Sequence, residues 1–252
     1  MKKIFTLLAF STISTLLFSQ TADDIINSYI KSMGGLEKLN SIQTLHTIGI
    51  ATAPNGTEVK TEVWKEHNKL FRRETNFGMG SMIMLVTDEG AWSTSPRSGG
   101  SFEAMPEERR KTQLSEMDCQ GPLVNYAAKG IKAEYLGKET IDGKECFKIK
   151  LTMQDGREQN YFLDASTYYI NRVSYKPVAG GGGGGGGRTG GGGGMQRDPN
   201  AEVVFNYSNY EKTTDGFVFA FTTSMAGGFG GNVTFELIEV NSKIDSNKYK
   251  PE

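Results

Sequence analysis

Two histidines, two cysteines and a few paired carboxylates are the residues whose chemistry goes beyond packing. His46 and His67 fall in separate strand-like stretches, without the close spacing that two ligands of one metal ion need. No Gly-x-Ser-x-Gly elbow is present, and neither cysteine is paired with a histidine by position. Glu107-Glu108 and Asp88-Glu89 stand where the first turn of a helix and a tight turn call for acidic side chains, so a structural role accounts for them. Residues 177–199 contain two polyglycine runs, 180–187 and 190–194, around Arg188-Thr189. A phosphate loop would need G-x-x-x-x-G-K-[ST] between a strand and a helix, and neither the pattern nor the context is there. These glycines bury nothing and lose the most entropy on ordering, which predicts a disordered surface loop over 177–199. The residues therefore predict no enzyme, no catalytic side chain, no metal and no cofactor.

The elements that remain to be explained are strands. The stretch 131–175 reads as four antiparallel strands, because Asp142-Gly143 and Asp155-Gly156 are the dipeptides that tight hairpins favour. If Asp155-Gly156 is a two-residue loop, Ile149 lies opposite Phe162 and Lys150 opposite Tyr161. Alternation then puts Phe147, Ile149, Leu151 and Met153 on one face, and Lys148, Lys150 and Thr152 on the other. A four-residue turn over 164–167 adds Tyr169, Val173 and Tyr175 to the apolar face. A meander with one apolar face must cover it, with helices or with a ligand.

Residues 1–19 have the form of a secretory leader: Lys2 and Lys3, an apolar run over 4–17, and Ser19 at the cleavage position. The run is shorter than the ~20 residues a membrane span needs, and polar Gln20 to Asp24 follow at once. The expectation is a mature chain beginning near Gln20, soluble in a bacterial periplasm. Losing Lys2 and Lys3 lowers the net charge from -1 by two. A chain so balanced lacks the basic stripe that nucleic acid requires. No polar linker separates two patterns, so residues 20–252 are read as one domain. In an oxidising compartment Cys119 and Cys146 form either a disulfide, worth roughly 3 to 4 kcal/mol, or two free thiols. Alternation beside Phe147 turns Cys146 to the more polar face.

Thr21 and Asp24 form a capping box ahead of an amphipathic helix carrying Ile25, Ile26, Tyr29, Ile30 and Met33, stopped by Gly34-Gly35. Residues 36–39 add one turn. Strands are expected over 46–53, 57–67, 70–76, 81–87 and 91–94, with Met79, Met82, Met84 and Met105 as a local enrichment of adaptable side chains. Pro106 at the first helical position, followed by Glu107 and Glu108, predicts a helix to Met117. A break at Gly121-Pro122 and a short helix over 123–129 follow. Strands over 202–210, 217–225 and 232–241 close the chain; the overall expectation is roughly ten or eleven strands with three helical segments. A sheet that long must twist and curl.

The segments GGLEKLNSIQTLHTIG (34–49), KLFRRET (69–75), DEGAWSTSP (88–96), 120–156, NYFLDASTYYINRVS (160–174) and IDSNKYKP (244–251) resemble the LolA-like outer-membrane lipoprotein-sorting proteins. The resemblance runs over nearly all of residues 20–252, and the chain departs from the simplest carriers in its length and in the polyglycine insertion. It implies a mainly β fold with helices: one strongly curved antiparallel sheet, an unclosed barrel, whose concave apolar face the helices cover. It also implies a monomeric periplasmic carrier of lipoprotein acyl chains or lipid, served by a membrane-bound donor or receptor protein. The alternative within the same family is a sensor that binds lipid or mislocalised lipoprotein and signals to a protein partner. Combined with the alternation above, the resemblance makes Met82, Met84, Phe147, Ile149, Leu151, Phe162, Phe205, Phe219 and Phe235 the expected lining. Arg72 and Arg73, in the KLFRRET segment, are expected at the cavity mouth.

Overall fold

The structure is a computed structural model that describes residues 20–52, 56–78, 80–95, 98–177, 201–226 and 232–252. The leader assigned to 1–19, the glycine-rich loop from residue 178 onward, Pro54, Asn55 and Met79 lie outside the described residues.

Among the described residues, thirteen strands form one antiparallel sheet: β1 (Thr44–Thr52), β2 (Glu58–Glu66), β3 (Leu70–Asn76), β4 (Ser81–Thr87), β5 (Ala91–Ser93), β6 (Glu103–Ala104), β7 (Lys132–Ile141), β8 (Lys144–Thr152), β9 (Glu158–Asp164), β10 (Ile170–Tyr175), β11 (Val203–Lys212), β12 (Val218–Met225) and β13 (Asn232–Val240). Their order is β6-β5-β4-β3-β2-β1-β13-β12-β11-β10-β9-β8-β7. Two meanders are thus joined by the pairing of β1 with β13, and the edge strands β6 and β7 do not meet. The result is a strongly curved, unclosed barrel with helices over its concave apolar face. The expected ten or eleven strands become thirteen, two of which, β5 and β6, are very short.

Alternation decides what each face carries. On the inner face Phe147, Ile149 and Leu151 of β8, Tyr161 and Leu163 of β9 and Val173 of β10 share one core with Ile25, Ile26 and Tyr29 of α1 (Ala22–Ser32). Thr21 and Asp24 make the reciprocal capping box, and positive φ at Gly34 and Gly35 ends the helix. Helix α2 (Leu36–Asn40) adds Leu39 to the same core. Burying each of these isoleucine or leucine side chains contributes on the order of 2 kcal/mol. A second inner cluster holds Phe71, Val86, Ala91 and Met117, with Val63, Met84 and Met105 packed against it.

The cover continues through α3 (Glu107–Gln113) and a 3-10 turn (Leu114–Met117). Two expectations need correction here. Pro106 is the N-cap rather than the first helical residue, and the helix tightens after Gln113. Residues 123–129 are a run of turns, not a helix, because Asn125 takes a left-handed φ of 53° that breaks the α ladder.

The meander corrects the register by one residue. Asp142-Gly143 is the two-residue loop, closed by Ile141 opposite Lys144 with positive φ at both loop residues. At Asp155-Gly156 the loop has three residues: Met153 N–H donates to Arg157 O at 2.8 Å, and Gly156 is left-handed at φ 81°. The extra residue places Ile149 opposite Tyr161, Lys148 opposite Phe162 and Lys150 opposite Asn160. Phe162 is therefore on the outer face with Ile141 and Cys146, its ring 5.1 Å from Lys148 Nζ. Cys119 belongs to the inner core, so the two thiols lie on opposite faces, free and buried.

Arg72 is the other correction. Adjacent strand residues point to opposite faces, and Arg72 is outward, 5% exposed, stacked against Phe102 and donating to Glu74 at 2.7 Å and to the carbonyls of Lys248 and Lys250. Lys248 Nζ lies 3.6 Å from the Trp64 ring centroid and also donates to Glu74, while Tyr249 donates to Glu66. This cluster straps the C-terminal segment onto the outer face over Trp64, Leu70 and Leu85. Burial pushes the Glu74 carboxyl up, but the bonds from Arg72 and Lys248 outweigh it and hold it below 4.5. The bonds from Lys69 and Tyr249 likewise lower Glu66. A carboxyl lowered on folding adds stability that is complete above its unfolded value and vanishes as pH falls through the folded one. The C-terminal strap is expected to loosen as pH falls below the ordinary carboxylate range, seen as a change in tryptophan fluorescence, and Glu74→Gln should blunt that change. An identical acid profile in the variant would dismiss the strap.

Candidate ligand cavity

A cavity of about 160 Å³ lies between the cover and the inner face of β9, β10 and β11. Tyr29 of α1 and Gly121, Pro122 and Leu123 of the turn segment form one wall; Tyr161, Ile170, Val173 and Tyr207 form the other. Period two on the strands aims Tyr161, Val173 and Tyr207 inward, and helical spacing aims Tyr29 down onto them. Small-molecule sites are roughly 300–1,000 Å³, and an apolar cavity of about 150 Å³ accepts benzene. As it stands, this one takes a ring-sized or short alkyl group. A longer chain requires the cover to shift.

The walls are apolar with a few phenol groups. Burial, reinforced by the neighbouring Tyr207, pushes Tyr29 far above its ordinary value, and burial with help from Glu116 and Tyr175 pushes Tyr207 up to about 12. Both stay neutral at any physiological pH. Tyr161 donates to Gln159 at 3.0 Å, and Tyr210 donates to Ile170 O at 2.7 Å. Burial also pushes the Cys119 thiol up to about 12, so it stays protonated.

Towards β2 and β3 the inner face becomes charged. Lys65 Nζ lies 3.8 Å from Glu116 and 5.3 Å from the Phe71 ring centroid. Arg73, opposite Val63 and Met84, has its guanidinium carbon 5.9 Å from the same ring.

The cover is held by side chains more than by regular structure. Asn125 donates to Asn40 Oδ1, Lys129 to Asp118 and to Gly121 O, and the Cys119 N–H to His67 Nδ1 at 3.3 Å. His46 lies on the outer face, stacked 5.2 Å from Trp64, with Glu62 and Glu239 on its two ring nitrogens. Each nitrogen faces a different carboxylate. Among the described residues no group of three or more His, Cys, Asp or Glu is placed to hold a metal ion.

The expected lining divides into four groups. Phe147, Ile149 and Leu151 are inward but sealed in the core at 3%, 0% and 0% exposure, outside the cavity wall. Met84 is in the second cluster and Met82 faces the same way one pleat on. Phe205 stacks on Tyr175, Phe219 packs against the main core, and Phe235 crosses above Gly49; these three rings are only half-buried. Phe162 and Arg72 are on the other face, leaving Arg73 as the inward arginine. None of the eight wall residues is in the expected lining: Tyr29, Val173 and Tyr207 fall on the expected apolar faces, a two-residue loop at Asp155-Gly156 puts Tyr161 on the polar face, and Gly121, Pro122, Leu123 and Ile170 lie at turns and a strand end where no alternation points.

No family profile matches this chain, and no curated relative matches it. Solved structures do. A LolA superfamily protein from Nitrosomonas europaea superimposes with a TM-score of 0.55 at 13% identity, over 92% of this chain and 99% of that one. A domain assigned to outer membrane lipoprotein sorting from Vibrio parahaemolyticus gives 0.52 at 12% identity, over 90% and 97%. A DUF1329 family protein from Desulfovibrio piger gives 0.55 at 10% identity, over 92% and 98%. The chain has the LolA-like fold. No helix among the described residues is long and apolar enough to cross a membrane.

Proposed function

We propose that residues 20–252 act as one monomeric domain in the periplasm, released from a leader cleaved near Ser19, that binds hydrophobic ligands and carries lipoprotein acyl chains or lipid toward the outer membrane. The observation that supports this reading most directly is the 160 Å³ apolar cavity between the side-chain-pinned cover and the inner face of the sheet. Leaving an acyl chain in water costs about 0.8 kcal/mol per CH₂, so a long chain crosses an aqueous space only when shielded. The half-buried Phe205, Phe219 and Phe235 extend apolar surface beyond the cavity, along which a chain can lie once the cover moves. Neutral phenols in an apolar enclosure favour binding over acid–base chemistry, and we assign the chain no enzymatic activity, metal or cofactor. Cargo would be exchanged with a membrane-bound donor or receptor protein.

Mass spectrometry of organic extracts and tryptic digests of the mature protein, purified from the periplasm without detergent, tests the proposal. Acyl chains or triacylated peptides at near-stoichiometric amounts are expected. A protein that carries no cargo and binds no apolar fluorescent probe would overturn it.

A further inference from the structure

The inner face carries one strong charge that the fold leaves unanswered. Arg73 is flanked across the sheet by Val63 and Met84 and stacks on Phe71, all apolar. Among the described residues it makes no hydrogen bond and no ion pair. Its neighbour Arg72, of the same residue type and one position away, is engaged by Glu74 and two carbonyls. Glu116 is the carboxylate that acts on Arg73, but only at a distance; its own close partner is Lys65, at 3.8 Å. Arg109, on the cover, adds a further positive charge near Arg73. Burial and Arg109 lower the Arg73 guanidinium while the more distant Glu116 opposes them, and the side chain is half-buried, with part of its surface open to water or to a ligand.

Resting on the binding reading above, we infer that Arg73 receives the acidic head of the ligand, a carboxylate or phosphate oxyanion covalently joined to an acyl chain. A guanidinium presents its donors in a planar fork that matches two oxygens of such a group, and charge-assisted bonds of this kind gain strength away from bulk water. Phe71, Val63 and Met84 around it accept the first methylenes of the chain. Lys65 and Glu116 already neutralise each other, which leaves the half-buried Arg73 and the exposed Arg109 as the charges an anion would answer. A neutral ester fills the same apolar surface and leaves the guanidinium unsatisfied.

Displacement of 1-N-phenylnaphthylamine from the mature chain by palmitate, methyl palmitate, a monoacyl phosphate and inorganic phosphate tests this. Palmitate or the monoacyl phosphate should compete about tenfold better than the methyl ester, and whichever of the two does so identifies the head group. Arg73→Leu should reduce the acid to the level of the ester and leave the ester unchanged, while Arg73→Lys should keep part of the preference. Equal competition by acid and ester on the wild-type chain overturns the inference, as does a preference that survives Arg73→Leu. Inorganic phosphate competing as well as the acylated anions overturns it too, since the acyl chain would then have no part. If none of the acyl compounds displaces the probe, the binding proposal itself fails. The comparison on the wild-type chain needs no variant to fold.

Discussion

Ile149→Asp is expected to abolish the cooperative thermal transition and the near-ultraviolet dichroism of the folded chain. Ile149 has no exposed surface and lies between Tyr135 of β7 and Tyr161 of β9, in the core shared with α1. Removing its side chain forfeits about 2 to 3 kcal/mol of burial. The carboxylate that replaces it finds no cation on this face of β8, and an unpaired buried charge costs several kcal/mol more. Together these approach the whole stability of an ordinary domain, about 5 to 15 kcal/mol. Lys148→Gln, one residue earlier on the outer face, should change stability by only about 1 kcal/mol, because Lys148 makes a partly exposed pair with Glu139 and a surface contact with the Phe162 ring. A variant Ile149→Asp that melts within a few degrees of the wild type would mean that the inner and outer faces of the meander have been exchanged.

Val173→Trp is expected to leave a folded protein that no longer binds apolar ligands. Val173 sits at the centre of the cavity wall on β10, opposite Tyr161 on one side and Phe205 on the other. An indole in place of the isopropyl group projects into the 160 Å³ space and takes up the room that a ring or alkyl segment would use. Overpacking a filled core costs typically about 1 to 3 kcal/mol, but here the added atoms meet a void, so the melting temperature should hold or rise. Affinity for an apolar fluorescent probe should fall at least about tenfold, equivalent to 1.4 kcal/mol. Unchanged probe affinity in a folded Val173→Trp chain would place the binding surface elsewhere, beneath Phe205, Phe219 and Phe235.

Most of the β architecture was legible before any coordinates, and the errors have a common origin. Period two on β8 put Phe147, Ile149, Leu151 and Met153 on one face correctly, since that pattern is local to the strand. Which residue lies opposite another depends on the turn. One more residue in the loop at Asp155-Gly156 was enough to send Phe162 to the far side of the sheet. Arg72 and Arg73 share one motif in the sequence, but adjacency on a strand means opposite faces. The segment between α3 and β7 was hardest. It has little periodicity, and its structure comes from Asn125 at positive φ and from side-chain anchors to Asn40 and His67 that are distant in sequence. The cavity forms where that segment meets β10 and β11. Its wall was therefore only half visible: the strand residues announced their face, but nothing in the sequence announced what would lie above them.

The junction of β1 with β13 sets when this molecule can fold. Leu45 pairs with Val240 and Ala51 with Val233, so among the described strands the first waits for the last. A chain emerging N-terminus first, from a ribosome or a membrane pore, offers β1 a partner in β2 on one side only. Its other edge stays unpaired until the final hairpin appears. Contacts so distant in sequence must overcome a large loop-closure entropy before they contribute anything, which makes such folds slow to complete. The first meander must survive in the meantime with an open hydrogen-bonding edge and an uncovered apolar face, the two features that recruit chaperones.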